Sequence, residues 1–416
     1  MGKRVSVTLL GDASRLPDDA RDAYVRAQSA GIAIVDTLDV PPGFDDEDLI
    51  IDALLGLGAS RPPAGAMAKC IARINAHSCS TLAIDAPSGL DCGTGQLLGA
   101  SAVQASHTLS LLTLKPGLFT AHGRDHAGEI WFDELGVVLP NDFPDACLIG
   151  AEEAATTPRS HAQHKGSFGD VAVVGGARSM SGAALLAARA ALAAGAGRVY
   201  ASLLDEQAST HDLLRPELMF RAQWWQSPDA MIAATTVVCG CGGGDAVREP
   251  LPRLLSESAR LVVDADALNA IASDASLQAL LRARADRGQP TILTPHPLEA
   301  ARLLGTEAGQ VQADRLTAAQ TLSERFRCVV LLKGSGTVIV AHDATPRINS
   351  TGNAALATAG TGDVLAGWIG GLWAQQSRRE PLAIACAAAY AHGAAADAFG
   401  GLSLLASDLI EAMRGS

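Results

Sequence analysis

The sequence predicts an α/β protein of two three-layer domains, each a parallel sheet with helices on both faces. Three observations predict it. A length of 416 residues exceeds what one hydrophobic core usually serves. Short apolar, β-compatible runs alternate with helix-length stretches rich in Ala and Leu. Glycine turns close several of those runs, as they do where strands end beside a ligand. Apolar residues make up 48% of the chain and aromatic ones only 4%, so the cores must be built from Ala, Leu and Val.

In chain order, Val5–Leu10 reads as a buried strand, residues 16 to 30 as a polar helix, and Leu49–Leu55 as a second strand after the turn Pro41-Pro42-Gly43. A helix and the short apolar strand Thr81–Asp85 follow, closed by Ala86-Pro87-Ser88-Gly89. Apolar runs at 107 to 114 and 129 to 132 continue the alternation. The first domain is expected over residues 1–150. Residues 151–164 lack an apolar period and read as a linker to a second domain over 165–416.

The second half begins with the strand Asp170–Gly176, an Ala/Leu helix over Gly182–Ala194 and the stop Gly195-Ala196-Gly197. Further strands are expected at Val199–Leu204, Val237-Val238, Leu261–Asp264, Thr291–Leu293, Val329–Leu332 and Thr337–Val340.

A net charge of −12 excludes a general nucleic-acid or membrane-surface role, which needs a broad positive field. The cysteines at 70, 79, 92, 147, 239, 241, 328 and 386 show no metal-ligand spacing. The first ten residues lack the apolar core of a signal peptide, and no run approaches a membrane span. A soluble, reduced, cytoplasmic protein is expected.

The most informative segment is Asn353–Gly367, where Gly360-Thr361-Gly362-Asp363 turns tightly into the apolar helix that follows. Uncovered amides at a helix start attract phosphate, and Asp363 could either cap the helix or transfer a proton. Glycine also follows strands at Gly175-Gly176, Gly240–Gly244 and Lys333–Thr337, although no Walker A or Rossmann fingerprint is present. Lys333 is placed to meet phosphate, so the turns together point to a nucleotide site. His296, held between Pro295 and Pro297, is aimed by a stiff loop toward either a ligand or loop carbonyls. Asp264 and Asp266 could be paired acids, or a strand-end cap and a helix cap.

These residues resemble a known family. His164–Asp170, Ser179–Ala183, Arg215–Met219, Asp264–Leu268, Thr294–Pro297, Leu332–Thr337 and Thr351–Asp363 occur in the order found in ADP- or ATP-dependent NAD(P)H-hydrate dehydratases. The resemblance covers nearly all of residues 160 to 400 and implies a ribokinase-like fold. It implies dehydration of hydrated NADH or NADPH driven by ADP, with Mg2+ accompanying the nucleotide. Ala183, Gly242, Gly244, His296 and Asp363 resemble positions that contact the hydrated dinucleotide. Lys333, Gly334, Ser335, Gly336, Thr337 and Gly362 resemble nucleotide-contacting positions, and Asp363 resembles the catalytic acid–base. Cys241 stands where the family usually has Pro, and Leu298 where it often has Gly.

Ile51–Gly58, Leu82–Asp91 and Thr113–Leu118 resemble the NAD(P)H-hydrate epimerase domain that bacteria fuse ahead of the dehydratase, a Rossmann-like fold. Asp52 and Ser88 then resemble potassium-site positions, and Asp85 an acid–base or substrate contact. The family's Asn-Asn-Gly-Gly-Asp-Gly phosphate loop would precede the strand Val5–Leu10. The resemblance therefore implies an incomplete epimerase domain, with dehydratase activity expected and epimerase activity not. The partners expected are hydrated NADH or NADPH and ADP, with no nucleic acid and no membrane, in a homo-oligomer. Two other readings fit the glycine turns and the terminal aspartate: a ribokinase-like kinase for a vitamin or sugar hydroxyl, and a nucleotide-binding module without catalysis.

Overall fold

The computed structural model describes residues 4–37, 49–137, 144–154, 161–400 and 403–415, and the chain divides into two compact units, Met1–Asp142 and Phe143–Ser416. In the first unit Ser6–Leu10 (β1) and Ala33–Thr37 (β2) pair in parallel, with the helix Asp18–Ser29 between them in sequence. Leu49–Asp52 (β3), Ser80–Ile84 (β4), His107–Leu111 (β5) and Glu129–Asp133 (β6) form a second parallel sheet in that order. Leu10 of β1 packs on a small cluster of Ile50, Cys70, Ile71, Ile74 and Val103. The expected strand over 49 to 55 stops at Asp52, whose carboxylate takes the Leu54 amide at 3.2 Å and turns the chain. The turn expected at Pro41-Pro42-Gly43 lies outside the described residues.

The second unit is built on one mixed sheet. In chain order its strands are Cys147–Leu148 (β7), Asp170–Gly175 (β8), Arg198–Leu203 (β9), Met219–Phe220 (β10), Thr236–Cys239 (β11), Arg260–Val263 (β12), Thr291–Leu293 (β13), Val329–Leu332 (β14), Thr337–Val340 (β15) and Arg347–Asn349 (β16). Among the described residues the sheet order is β10-β9-β8-β11-β12-β13-β14-β15-β16-β7. β15 runs antiparallel to both its neighbours, and the other pairings are parallel. The strands β7, β10 and β16 are two or three residues long and carry no readable period. Because β7 pairs with Arg347 and Ile348, residues that the sequence reading put at the end of the first domain lie in the second unit. Of the expected linker, residues 155–160 lie outside the described ones. Ala151–Ala154 forms a short 3-10 turn, and the Glu153 carbonyl accepts from Arg379 at 2.6 Å.

Both faces of this sheet are covered, so side chains alternate between two cores. Val171 and Val173 of β8 join one core, Ala172 and Val174 the other. On the first face the helix Thr361–Gln375 presses against the helix Ser181–Ala193 and against β11. Three glycines allow this closeness. A Cβ on Gly367 would lie 2.0 Å from the Ala187 carbonyl, one on Gly371 2.4 Å from that of Ala191, and one on Gly370 2.4 Å from Val238 Cγ2. A helix seated so tightly holds its first turn, with Asp363, in a fixed position.

Candidate active site

The parallel strands bring their carboxyl ends, and the loops after them, to one edge. Backbone hydrogen bonds join these loops. Gly240 N donates to Val174 O at 3.0 Å, Ala177 N to Gly242 O at 2.7 Å, Thr294 N to Val263 O at 3.1 Å and Lys333 N to Pro295 O at 2.9 Å. Gly242 and Gly244 take φ values of +57° and +50°, a region that strains any residue with a Cβ. Space at Gly242 is short as well, since a Cβ there would lie 2.9 Å from that of Ala183. Ala183 and Gly242 are thus neighbours.

Asp363 is the third residue of its helix, not the cap. Gly360 is the cap, at φ +92°. The Asp363 carboxylate lies with Cys241 Sγ and an Asp264 oxygen in one group whose ligand atoms are all within 4.8 Å of each other. Burial foremost, then the charge on Asp264, lifts its pKa to about 6, while the Cys241 thiol and Lys333 pull the other way. The carboxyl therefore titrates near neutrality, where a proton acceptor works best.

Asp264 is buried and stands at the cap position of the helix that follows it, but its side chain makes no capping bond. Its Oδ1 accepts from Thr294 Oγ1 at 2.7 Å and from Lys333 Nζ at 2.8 Å. Lys333 Nζ also lies 3.9 Å from Glu299 and 3.4 Å from where a Cβ on Gly362 would stand. Burial disfavours the ammonium, but the charges of Asp264 and Glu299 outweigh that and raise its pKa, so Lys333 stays cationic. Asp266 accepts the Gly244 amide at 2.8 Å and so tethers the glycine turn.

His296 caps the helix Pro297–Leu304, its Nδ1 accepting from the amides of Leu298 and Glu299 at 3.1 and 3.3 Å. That fixes the neutral ring's proton on Nε2, which faces Glu299 Oε1 at 3.2 Å. Burial and the nearby Lys333 charge lower the ring's pKa. Glu299, raised to about 7 chiefly by burial, closes the reciprocal cap by accepting from His296 N at 2.7 Å. In the sequence Glu299 is marked only by its cap-to-third-residue spacing from His296.

The turn Gly334-Ser335-Gly336 joins β14 to β15, and Thr337 Oγ1 donates to Gly334 O at 3.2 Å. Under it lies buried Arg315, which donates to the carbonyls of Leu332, Lys333 and Gly336 at 3.2, 3.2 and 3.3 Å. Nothing in the sequence marks Arg315, which lies on a helix some twenty residues upstream. His392 was passed over too. Burial depresses its pKa to about 4, and its Nε2 donates to Thr361 O at 3.0 Å, steadying the turn that bears Asp363.

In the first unit Asp52 and Ser88 meet directly. Ser88 donates its amide to Asp52 Oδ2 at 2.8 Å and its hydroxyl to Oδ1 at 2.6 Å. Both are about 1% exposed, and burial raises the Asp52 pKa. Among the described residues Asp52 has no basic partner, so this oxygen-lined pair fits a monovalent cation that would offset the buried charge. Asp85, at φ +70°, is paired with buried Lys115, whose Nζ also donates to Leu111 O at 2.7 Å. No local spacing in the sequence marks this pair, whose members are 30 positions apart.

No helix among the described residues is long and apolar enough to cross a membrane. The family model described as NAD(P)H-hydrate dehydratase matches residues 171–413, and that described as YjeF-related protein N-terminus matches residues 1–117. The bifunctional NAD(P)H-hydrate repair enzyme of Escherichia coli is 37% identical over 99% of this chain and 79% of its own length. The repair enzyme of Moorella thermoacetica is 37% identical over 88% and 72%. The Bacillus subtilis ADP/ATP-dependent NAD(P)H-hydrate dehydratase, crystallised with ATP and Mg2+, superposes at a TM-score of 0.53 and 27% identity, covering 64% of this chain and 96% of that one. A ribokinase-like superfamily protein of Enterococcus faecalis shares the fold at a TM-score of 0.55 and 23% identity, over 67% of this chain and 97% of that one. On the match to most of its length, this chain belongs to the bifunctional NAD(P)H-hydrate repair enzyme family, with a ribokinase-like NAD(P)H-hydrate dehydratase domain behind a YjeF-related N-terminal domain.

Proposed function

We propose that this chain removes water from (S)-hydrated NADH and NADPH, with ADP as the driving co-substrate. The observation that carries the reading is the half-buried carboxylate of Asp363, titrating near 6 at a helix start beside Lys333 and the glycine turns. The hydrate's hydroxyl oxygen attacks the terminal phosphorus of ADP, the bond to the bridging oxygen breaks, and AMP leaves. Asp363 accepts the hydroxyl proton. The carbon–oxygen bond then breaks, phosphate leaving with its electron pair, and a proton passes from the neighbouring ring carbon to solvent as the nicotinamide double bond returns.

In this reading the amides around Gly362 and the ammonium of Lys333 stabilise charge on the transferred group. Gly334, Ser335, Gly336 and Thr337 hold the nucleotide, and Arg315 holds their turn. Ala183, Gly242, Gly244 and His296 line the hydrated dinucleotide. Mg2+ supplies charge neutralisation when it arrives on the diphosphate, and no side chain is assigned to it. In the first unit Asp52 and Ser88 hold K+, while Asp85 faces substrate. The setting is the cytoplasm.

The test is a coupled absorbance assay of hydrated NADH with ADP or ATP. NADH, AMP and phosphate are expected with ADP, and Asp363→Asn abolishes turnover while nucleotide still binds. Full activity in that variant removes the role given to Asp363, and a stable phosphorylated product would make the chain a kinase.

A further inference from the structure

Cys241 is fully buried at the edge of an apolar core, and its sulfur lies within 4.8 Å of an oxygen of each of two carboxylates, Asp264 and Asp363. Sγ lies 3.8 Å from Asp264 Oδ2. The other oxygen, Oδ1, already holds Thr294 and Lys333 at 2.7 and 2.8 Å. Oδ2 thus belongs to a carboxylate about 1% exposed, and among the described residues its donor is a weak thiol. A buried carboxylate oxygen so poorly satisfied is costly, and a cation would satisfy it.

The spacing suits a specific kind of cation. In a tetrahedral zinc site with bonds of about 2.3 Å to sulfur and about 2.1 Å to oxygen, sulfur and oxygen stand about 3.6 Å apart. The 3.8 Å found here is close to that value, and Asp363 completes the set within 4.8 Å. The thiol favours zinc over oxygen-seeking magnesium.

We propose that Cys241, Asp264 and Asp363 form a three-ligand site for Zn2+ whose fourth position is open. On binding, the Cys241 thiol gives its proton to solvent, and sulfur and one oxygen of each aspartate bond the ion. Lys333 stays on the far oxygen of Asp264. A carboxylate bonded to zinc cannot accept the substrate's proton, so the ion acts as an inhibitor. The inhibition rests on the proposed dehydratase reading, whereas the site does not.

Titrating the full chain with Co2+ separates the two. One equivalent is expected to give a thiolate-to-cobalt absorption band that Zn2+ displaces. Cys241→Ser, checked for fold by circular dichroism, loses the band and binds Zn2+ at least tenfold more weakly. Asp363→Asn, which removes a half-exposed ligand without a cavity, keeps the band and also binds at least tenfold more weakly. With hydrated NADH and ADP, Zn2+ inhibits the wild type at concentrations at least tenfold below those needed for Cys241→Ser, each measured against its own metal-free rate. No band in the wild type, or one that survives Cys241→Ser, overturns the site. A band with these properties in a chain that never dehydrates the hydrate supports the site and removes the repair reading.

Discussion

Lys333 Nζ reaches Asp264 Oδ1 at 2.8 Å, tying the end of β14 to the end of β12 across β13, and the two residues are 69 positions apart in sequence. Asp264 is almost wholly buried, and Thr294 adds a second donor to the same oxygen. Removing the ammonium leaves an uncompensated buried charge, a loss greater than the net worth of the pair. Lys333→Met is expected to destabilise the second unit by about 3 kcal/mol, read from urea denaturation. Lys333→Met with Asp264→Asn together should recover much of that loss, because neither partner is then left charged alone.

Asp363 is raised to about 6 by burial first and by the like charge of Asp264 second. A carboxylate that accepts a proton works only when ionised, so the dehydration rate is expected to fall on the acid side of pH 6, tenfold per unit. Asp264→Asn removes the like charge. The acid limb of the profile should move to lower pH in that variant, even where its maximal rate is reduced by the loss of the Lys333 partner. A limb that stays near 6 would mean that Asp264 does not set it.

Much of this was readable in the sequence because parallel α/β proteins write their strands as short apolar runs and their ligand edge as glycine turns. β8, β11, β12, β13 and β14 all fall on such runs. What could not be read was partnership across the sheet. Asp264 stands at a helix cap position yet its side chain accepts from Lys333 instead of capping, while Asp363 sits three residues past the cap, which Gly360 fills. Arg315 and His392 were invisible because each acts through backbone carbonyls of a distant segment, a contact that no local spacing encodes. Glu299 was legible as the partner of a helix cap but not as a carboxyl raised by burial, since burial belongs to the packed chain.

Asp52 is a buried carboxylate satisfied by Ser88 and Leu54 donors but not by opposite charge among the described residues. Replacing K+ by tetramethylammonium at constant ionic strength should lower the melting temperature of the wild type. Asp52→Asn, which has no charge to offset, should show no such dependence. Ser88→Ala, which removes the hydroxyl that donates to Asp52 Oδ1 and accepts the Leu55 amide, is expected to cost about 2 kcal/mol, and more in K+ than in tetramethylammonium. Equal melting temperatures for the wild type in both salts would remove K+ from this site.

Gly367 offers the sharpest test of what positions the Asp363 carboxylate. The residue lies in the middle of its helix, where alanine should be the better helix former by about 1 kcal/mol. Local propensity therefore predicts a gain in stability on Gly367→Ala. Packing predicts the opposite, because the new methyl would lie 2.0 Å from the Ala187 carbonyl, a backbone atom that no rotamer change can move. Overpacking of this kind typically costs about 1–3 kcal/mol, enough to outweigh the propensity term. The helices must then separate, and the turn bearing Asp363 shifts with them. A fall in melting temperature is expected, with a loss in kcat larger than any change in KM, since a displaced proton acceptor is felt most in the transition state. Gly371→Ala, against the Ala191 carbonyl at 2.4 Å but a turn farther from Asp363, should lose stability to a similar extent and kcat less.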